Sequence, residues 1–216
     1  MKPLPHALLP LPADRLFPAD RHPTLISTTG IGDSGTAGAC VIVDSETDIA
    51  GLRHILANGA TTLVLAGYRT GAQLQHLATL LSVAEAEEER PEGITSILAL
   101  TDGILPAPLS PQSLAGKSGR LAGLVWDQRV LEETLNARPH TQTGEWTAAF
   151  AAARAAVLLT AAAAGVQAYD SALAFSGDAF TASCQQSRDD GFHGRIAESE
   201  AQAAIIETIY AGSPAP

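Results

Sequence analysis

The chain has 216 residues, 46% of them hydrophobic and 17% charged, with a formal net charge of −10. That composition suits one domain of ordinary size with a sizeable core, and it excludes an intrinsically disordered chain. The acidic balance repels phosphate backbones and sets nucleic acid aside as a partner; the two cysteines, Cys40 and Cys184, stand in no CxxC spacing, which sets aside a disulfide framework and a Cys-rich zinc site.

In chain order, Met1 to Pro12 is apolar but broken by Pro3, Pro5, Pro10 and Pro12, so it lacks the continuous core of a signal peptide. A reduced, cytoplasmic setting is expected. Residues 1–40 are rich in Pro and Gly and show no clear helix, although Thr24–Thr28 reads as a strand. Gly30, Gly32 and Gly35 spell GxGxxG, but only Thr36 to Ala39 separate them from the next strand. No room is left for the helix that a dinucleotide site needs, so the segment is expected to be a loop and no nucleotide cofactor is assigned. Cys40–Asp44 is the next strand, and Asp48 is placed to cap a helix with Ile49, Leu52, Ile55 and Leu56 on one face and Gly59 at its end.

Thr62–Ala66 reads as a strand and is followed by Leu74, Leu77, Leu81 and Ala84 at helical spacing. The acidic run Glu85–Glu89 is expected on a solvated face. Ser96–Leu100 and Leu121–Trp126 are further strands; Gly116, Lys117 and Ser118 between them resemble the end of a P-loop, but Pro111 stands where a glycine is required. Trp146, Phe150, Ala153 and Val157 mark a helical stripe. The alanine-rich run Ala148–Gly165 carries Arg154, which fits a core-facing helix and no membrane span. Val166–Asp170 and Gly194–Ala197 are the last strands, and Ile205, Ile206 and Ile209 the last helical stripe. The strands are continuous apolar runs rather than alternating ones, as strands covered on both faces require. Strand and helix alternating from about residue 40 to 210 predicts βα units on a parallel sheet. None of His6, His22, His54, His76, His140 and His193 forms an HExxH pair, and no GxSxG elbow occurs.

Five segments in order resemble the HpcH/HpaI aldolase and citrate lyase beta-subunit family. VLAGYRT (64–70) stands where the family has VLPKVES, and ILALTDGIL (97–105) where it has ALIETARGL. RLAGLVWDQRVL (120–131) resembles RLAALVFGAEDL, AGVQAYDS (164–171) resembles AAGLPAIDGVY, and DGFHGRIAESEAQAAIIE (190–207) resembles ALGFDGKLAIHPSQIEIIN. The opening segment 6–14 is similar to RSLLFVPAD, and Cys40–Asp44 stands where the family has VVRVN. The resemblance implies one domain over residues 1–216, a shortened α/β TIM-type (β/α)8 barrel with its early crossover helices reduced. Segment 209–216 resembles the family's VFSPSPEE, after which relatives continue into a helix that covers the active site. The expectation is a barrel without that C-terminal lid helix, whose mouth excludes water poorly.

The family holds magnesium through a Glu and an Asp, and the metal stabilises the enolate formed when a carbon–carbon bond breaks. Those two positions fall here at Ala99 or Leu100 and at Val130. Arginines that grip the substrate become His6 and Ile42, the lysine of PKV becomes Gly67, and IHP becomes Glu198, Ser199 and Glu200. A compensating pair remains: Asp102 and Asp127 each follow a strand and are placed at the C-terminal mouth, where TIM-barrel sites lie. They are the candidate ligands for Mg2+ or Mn2+, the plainer alternative being that they are loop residues or helix caps, with Asp44 and Arg69 as candidate substrate-binding residues; no catalytic residue is assigned. The resemblance implies a lyase or aldolase ancestry, a small oxo acid or an acyl-CoA as ligand, and a homo-oligomer. Two readings stay open, a carbon–carbon lyase and a non-catalytic small-molecule-binding or subunit-interaction module.

Overall fold

A computed structural model describes residues 5–10, 24–27, 39–142, 144–174 and 176–211. The expected loop at Gly30–Gly35, the reduced crossovers of the first 40 residues and the segment after Ala211 lie outside the described residues.

Eight short strands run in one direction: β1 (Ala7–Pro10), β2 (Thr24–Ser27), β3 (Cys40–Val43), β4 (Thr62–Leu65), β5 (Ser96–Thr101), β6 (Leu121–Trp126), β7 (Gln167–Asp170) and β8 (Gly194–Ile196). Each pairs in parallel with the next. β1 also pairs with β8, through Ala7 with Arg195 and Leu8 with Ile196, so the strand order returns to its start. The result is a curled parallel α/β sheet with the outline of a shortened TIM-like barrel. The β8–β1 seam is tight: a Cβ on Gly194 would stand 1.9 Å from the His6 carbonyl oxygen, so only glycine fits there.

Six helices are described: α1 (Ile49–Ala57), α2 (Gly71–Glu87), α3 (Gln128–Leu135), α4 (Ala148–Ala164), α5 (Gly177–Asp189) and α6 (Glu200–Tyr210). The Asp48 side chain caps α1 by accepting from the Gly51 N–H at 2.8 Å. The β5–β6 connection contains no helix; its Gln112 carbonyl accepts from the Gly71 N–H at 2.8 Å, which anchors it to the start of α2.

Two buried clusters separate the faces of the sheet. One joins outward strand residues such as Val41, Leu63, Leu65, Ile97, Ala99 and Leu124 to helix residues such as Leu52, Leu74, Phe150 and Ile206. The other contains no helix residue: Leu8, Cys40, Val64, Leu98, Ala122, Val125, Tyr169, Ala172 and Ile196, with Ile42 and Leu100 against them. It fills the inside of the barrel. Successive strand residues alternate between the two faces, and the alternation in β6 is reset where its register to β5 shifts between Ile97 and Leu98. Past that shift Gly123 faces inward, where a Cβ would stand 3.1 Å from Leu98 Cδ2 and 3.3 Å from Tyr169 Cε2.

One expectation is corrected. The run Glu85–Glu89 is not uniformly solvated, because Glu85 is fully buried. Arg120 donates to its two carboxylate oxygens at 2.9 and 2.7 Å, and the N–H groups of Thr95 and Gly93 donate to the same oxygens at 2.9 and 2.8 Å. A carboxylate supplied with four donors can leave water, which a charge count along the sequence does not register.

Candidate functional site at the barrel mouth

All strands are parallel, so their C-terminal ends share one rim. Alternation then decides which residues face the axis. The inward residues Ile42, Val64, Leu100, Val125, Tyr169 and Ile196 are followed two positions later by Asp44, Ala66, Asp102, Asp127, Ser171 and Glu198. Of the positions matched to the family's metal ligands, Ala99 faces the helix layer, its alternative Leu100 packs against the inner cluster, and Val130 is exposed on α3, off the strand. None of them carries a ligating side chain.

Asp102 and Asp127 are brought together. Thr101 pairs with Trp126, and the Asp127 N–H donates to the Thr101 carbonyl at 2.9 Å, so the ladder continues one step and sets the two aspartates side by side. Neighbouring strands put their backbones about 4.8 Å apart. Both side chains are buried, and each is held by an arginine. Arg69 Nη1 donates to Asp102 Oδ2 at 2.8 Å, while Asp102 Oδ1 accepts from the Ile104 N–H at 2.9 Å. Asp127 caps α3: its Oδ1 accepts from the Arg129 N–H at 3.1 Å and from Arg129 Nε at 2.9 Å, and its Oδ2 accepts from Arg129 Nη2 at 2.6 Å. The hydrogen bond to Asp102 raises the Arg69 pKa, and the hydrogen bond to Asp127, with help from the Glu198 charge, raises that of Arg129. Both guanidinium groups are therefore fixed cations of the rim.

The turn that carries Arg69 is itself anchored: Gln73 Oε1 accepts from the Arg69 N–H at 2.7 Å and the Thr70 N–H at 3.2 Å. Asp44 is exposed and stands apart from that pair, its Oδ1 accepting from the Glu46 N–H and the Thr47 hydroxyl. Two rim residues were not foreseen. Ser171 is buried and its Oγ accepts from the Gln128 N–H at 3.0 Å; Gln128 Oε1 is buried with no hydrogen-bond partner. Neither residue belongs to a recognisable motif, so only the register of β6 and β7 reveals them.

The donor set does not fit a divalent ion as it stands. Each of the four oxygens of Asp102 and Asp127 already accepts a hydrogen bond, and two guanidinium groups would stand against the cation. Among the described residues no three His, Cys, Asp or Glu side chains are grouped to hold a metal. Magnesium asks for six oxygen ligands in near-octahedral order. What the mouth does offer is two arginines, whose planar forks suit a carboxylate.

No described helix is long and apolar enough to cross a membrane. No family model and no curated protein sequence matches the chain. Solved structures do match. RipC from Yersinia pestis superposes with a TM-score of 0.70 at 20% identity, over 98% of this chain and 96% of that one. CitE from Mycobacterium tuberculosis, in complex with magnesium, acetoacetate and coenzyme A, gives 0.70 at 18% identity over 97% and 82%. The citrate lyase beta subunit from M. tuberculosis, with oxaloacetate and magnesium, gives 0.69 at 18% identity over 96% and 97%. At such identities the likeness is one of fold, and it leads to the same group of proteins as the resemblance read from the sequence: this chain has the fold of the citrate lyase beta subunit.

Proposed function

We propose that this protein descends from carbon–carbon lyases of the citrate lyase beta-subunit type, that its metal-dependent chemistry is altered or lost, and that its mouth binds a small oxo acid or the acyl-CoA thioester of one. The observation that carries this reading is the pairing of both mouth aspartates with arginines, Asp102 with Arg69 and Asp127 with Arg129. The guanidinium groups are half-exposed or more, which leaves N–H donors for a ligand carboxylate. Asp44, exposed at the end of β3 on the same rim, would meet a hydroxyl or amide donor at the far end of such a ligand. The ligands held by solved structures of like fold, oxaloacetate and acetoacetate with coenzyme A, support that class. A single barrel domain, supported by chain length and the resemblance, homo-oligomerisation, implied by the resemblance, and a cytoplasmic setting, read from two cysteines in no paired spacing, belong to the same proposal.

Calorimetric titration with oxaloacetate in excess chelator tests it. Saturable binding is expected, and Arg69→Ala or Arg129→Ala is expected to weaken it about tenfold or more, the scale of one charge-assisted hydrogen bond. No binding, or affinity unchanged in both variants, would sink the assignment.

A second reading keeps Mg2+ or Mn2+ at Asp102 and Asp127, with the protein an active lyase. The register that brings the two residues to neighbouring strand ends favours it. It requires both arginines to swing aside, and magnesium bound in solved structures of like fold supports it.

A further inference from the structure

Asp102 and Asp127 follow paired positions of neighbouring strands and are only 6% and 7% exposed. Carboxylates so withdrawn from water need cationic or hydrogen-bonding partners. Here the cations are covalently part of the chain. Arg69 arrives from the turn after β4, its backbone fixed by Gln73, and Arg129 from the first turn of α3, chelating Asp127 with Nε and Nη2. The two elements bring one guanidinium to each of these two carboxylates, while Asp44 and Glu198, both exposed, add negative charge elsewhere on the rim.

The geometry points to Arg69 and Arg129 as resident counter-cations that take the place of a divalent ion between Asp102 and Asp127 and keep such an ion out. The arginine heads stand on the solvent side of the pair, at 62% and 52% exposure, while the carboxylates they cover are nearly buried. An approaching Mg2+ or Mn2+ therefore meets positive charge first, and would have to displace two charge-assisted pairs to reach oxygen. Removing the guanidinium groups, with the carboxylates left in register, should turn an arginine-closed mouth into a cation site. The inference does not rest on acid binding.

The experiment is a Mn2+ titration of the whole chain, without oxo acid, followed by the electron paramagnetic resonance signal of the free ion. The wild type is expected to leave that signal unchanged. Arg69→Met/Arg129→Met is expected to take up Mn2+ at least about tenfold more tightly, a change of about 1.4 kcal/mol, and adding Asp102→Asn and Asp127→Asn should abolish the uptake. Circular dichroism shows whether the double variant is folded; if it is not, the single variants at these exposed side chains are each expected to show a smaller gain. Uptake by the wild type as tight as by the variants overturns the inference, as does the absence of any gain in a folded variant. Because no acid is present, failure here leaves the acid-binding reading standing, and failure of oxaloacetate to bind leaves this one standing.

Discussion

Asp170→Ala is expected to destabilise the protein by about 3–5 kcal/mol, the scale of breaking a buried ion pair from one side. Asp170 ends β7 on the outward face, between the sheet and the helices, with no exposure. Its Oδ2 accepts from Arg154 Nη2 at 2.8 Å, Arg195 Nη2 at 3.3 Å and the Ser187 hydroxyl at 2.6 Å, and its Oδ1 accepts from the Ser171 N–H at 2.9 Å. Burial alone would raise the Asp170 pKa; the charges of Arg195 and Arg154 outweigh it and hold the carboxyl below its ordinary value. Arg195 has no exposure, so removal of the carboxylate leaves it with only neutral partners: the Ser171 carbonyl, the Ser183 hydroxyl and the Cys184 thiol. Arg154 keeps Asp190 at 2.5 Å. Urea denaturation followed by circular dichroism measures the loss. A loss below about 1 kcal/mol would mean that the network is no more than surface ion pairs in effect.

Glu85→Gln is expected to cost about 3 kcal/mol near neutral pH and almost nothing near pH 2. Burial by itself would raise the Glu85 pKa; the Arg120 guanidinium and the N–H donors of Thr95 and Gly93 overcome it and bring the value from 4.5 to about 2. The folded value is depressed, so the contribution is complete above the unfolded value and is lost as pH falls from about 4.5 toward about 2. A shift of that size corresponds to about 3 kcal/mol. The gap between wild type and Glu85→Gln in urea midpoint should therefore close across that window. A gap that stays constant from pH 6 to about pH 2 would show that the effect is one of shape and not of charge.

The strand pattern was legible because continuous apolar runs have few alternatives in a chain of this composition: Cys40–Val43, Thr62–Leu65 and Leu121–Trp126 all stand within a residue of their expected places. The α1 cap was legible for a local reason, a side chain bonding three residues on. α5 was not, because GDAFTASCQQSRD buries only Phe180, Cys184 and Ser187 and carries little apolar period. The placement of Asp102 and Asp127 at strand ends was also readable. Their arginines were not: Arg69 reaches Asp102 across 33 positions, and Arg129 turns back on Asp127 from the first turn of the helix that this aspartate caps. The buried set of Asp170, Arg154 and Arg195 escaped because charged residues inside apolar runs read as interruptions until their partners are seen.

The most direct test is a crystal structure grown with magnesium and oxaloacetate together. The account predicts the acid's carboxylate against Arg69 and Arg129, with the pairs to Asp102 and Asp127 intact at hydrogen-bond distance. A magnesium ion between Asp102 and Asp127, with oxygen ligands at about 2.1 Å and both arginines turned away, would contradict it and restore the lyase reading.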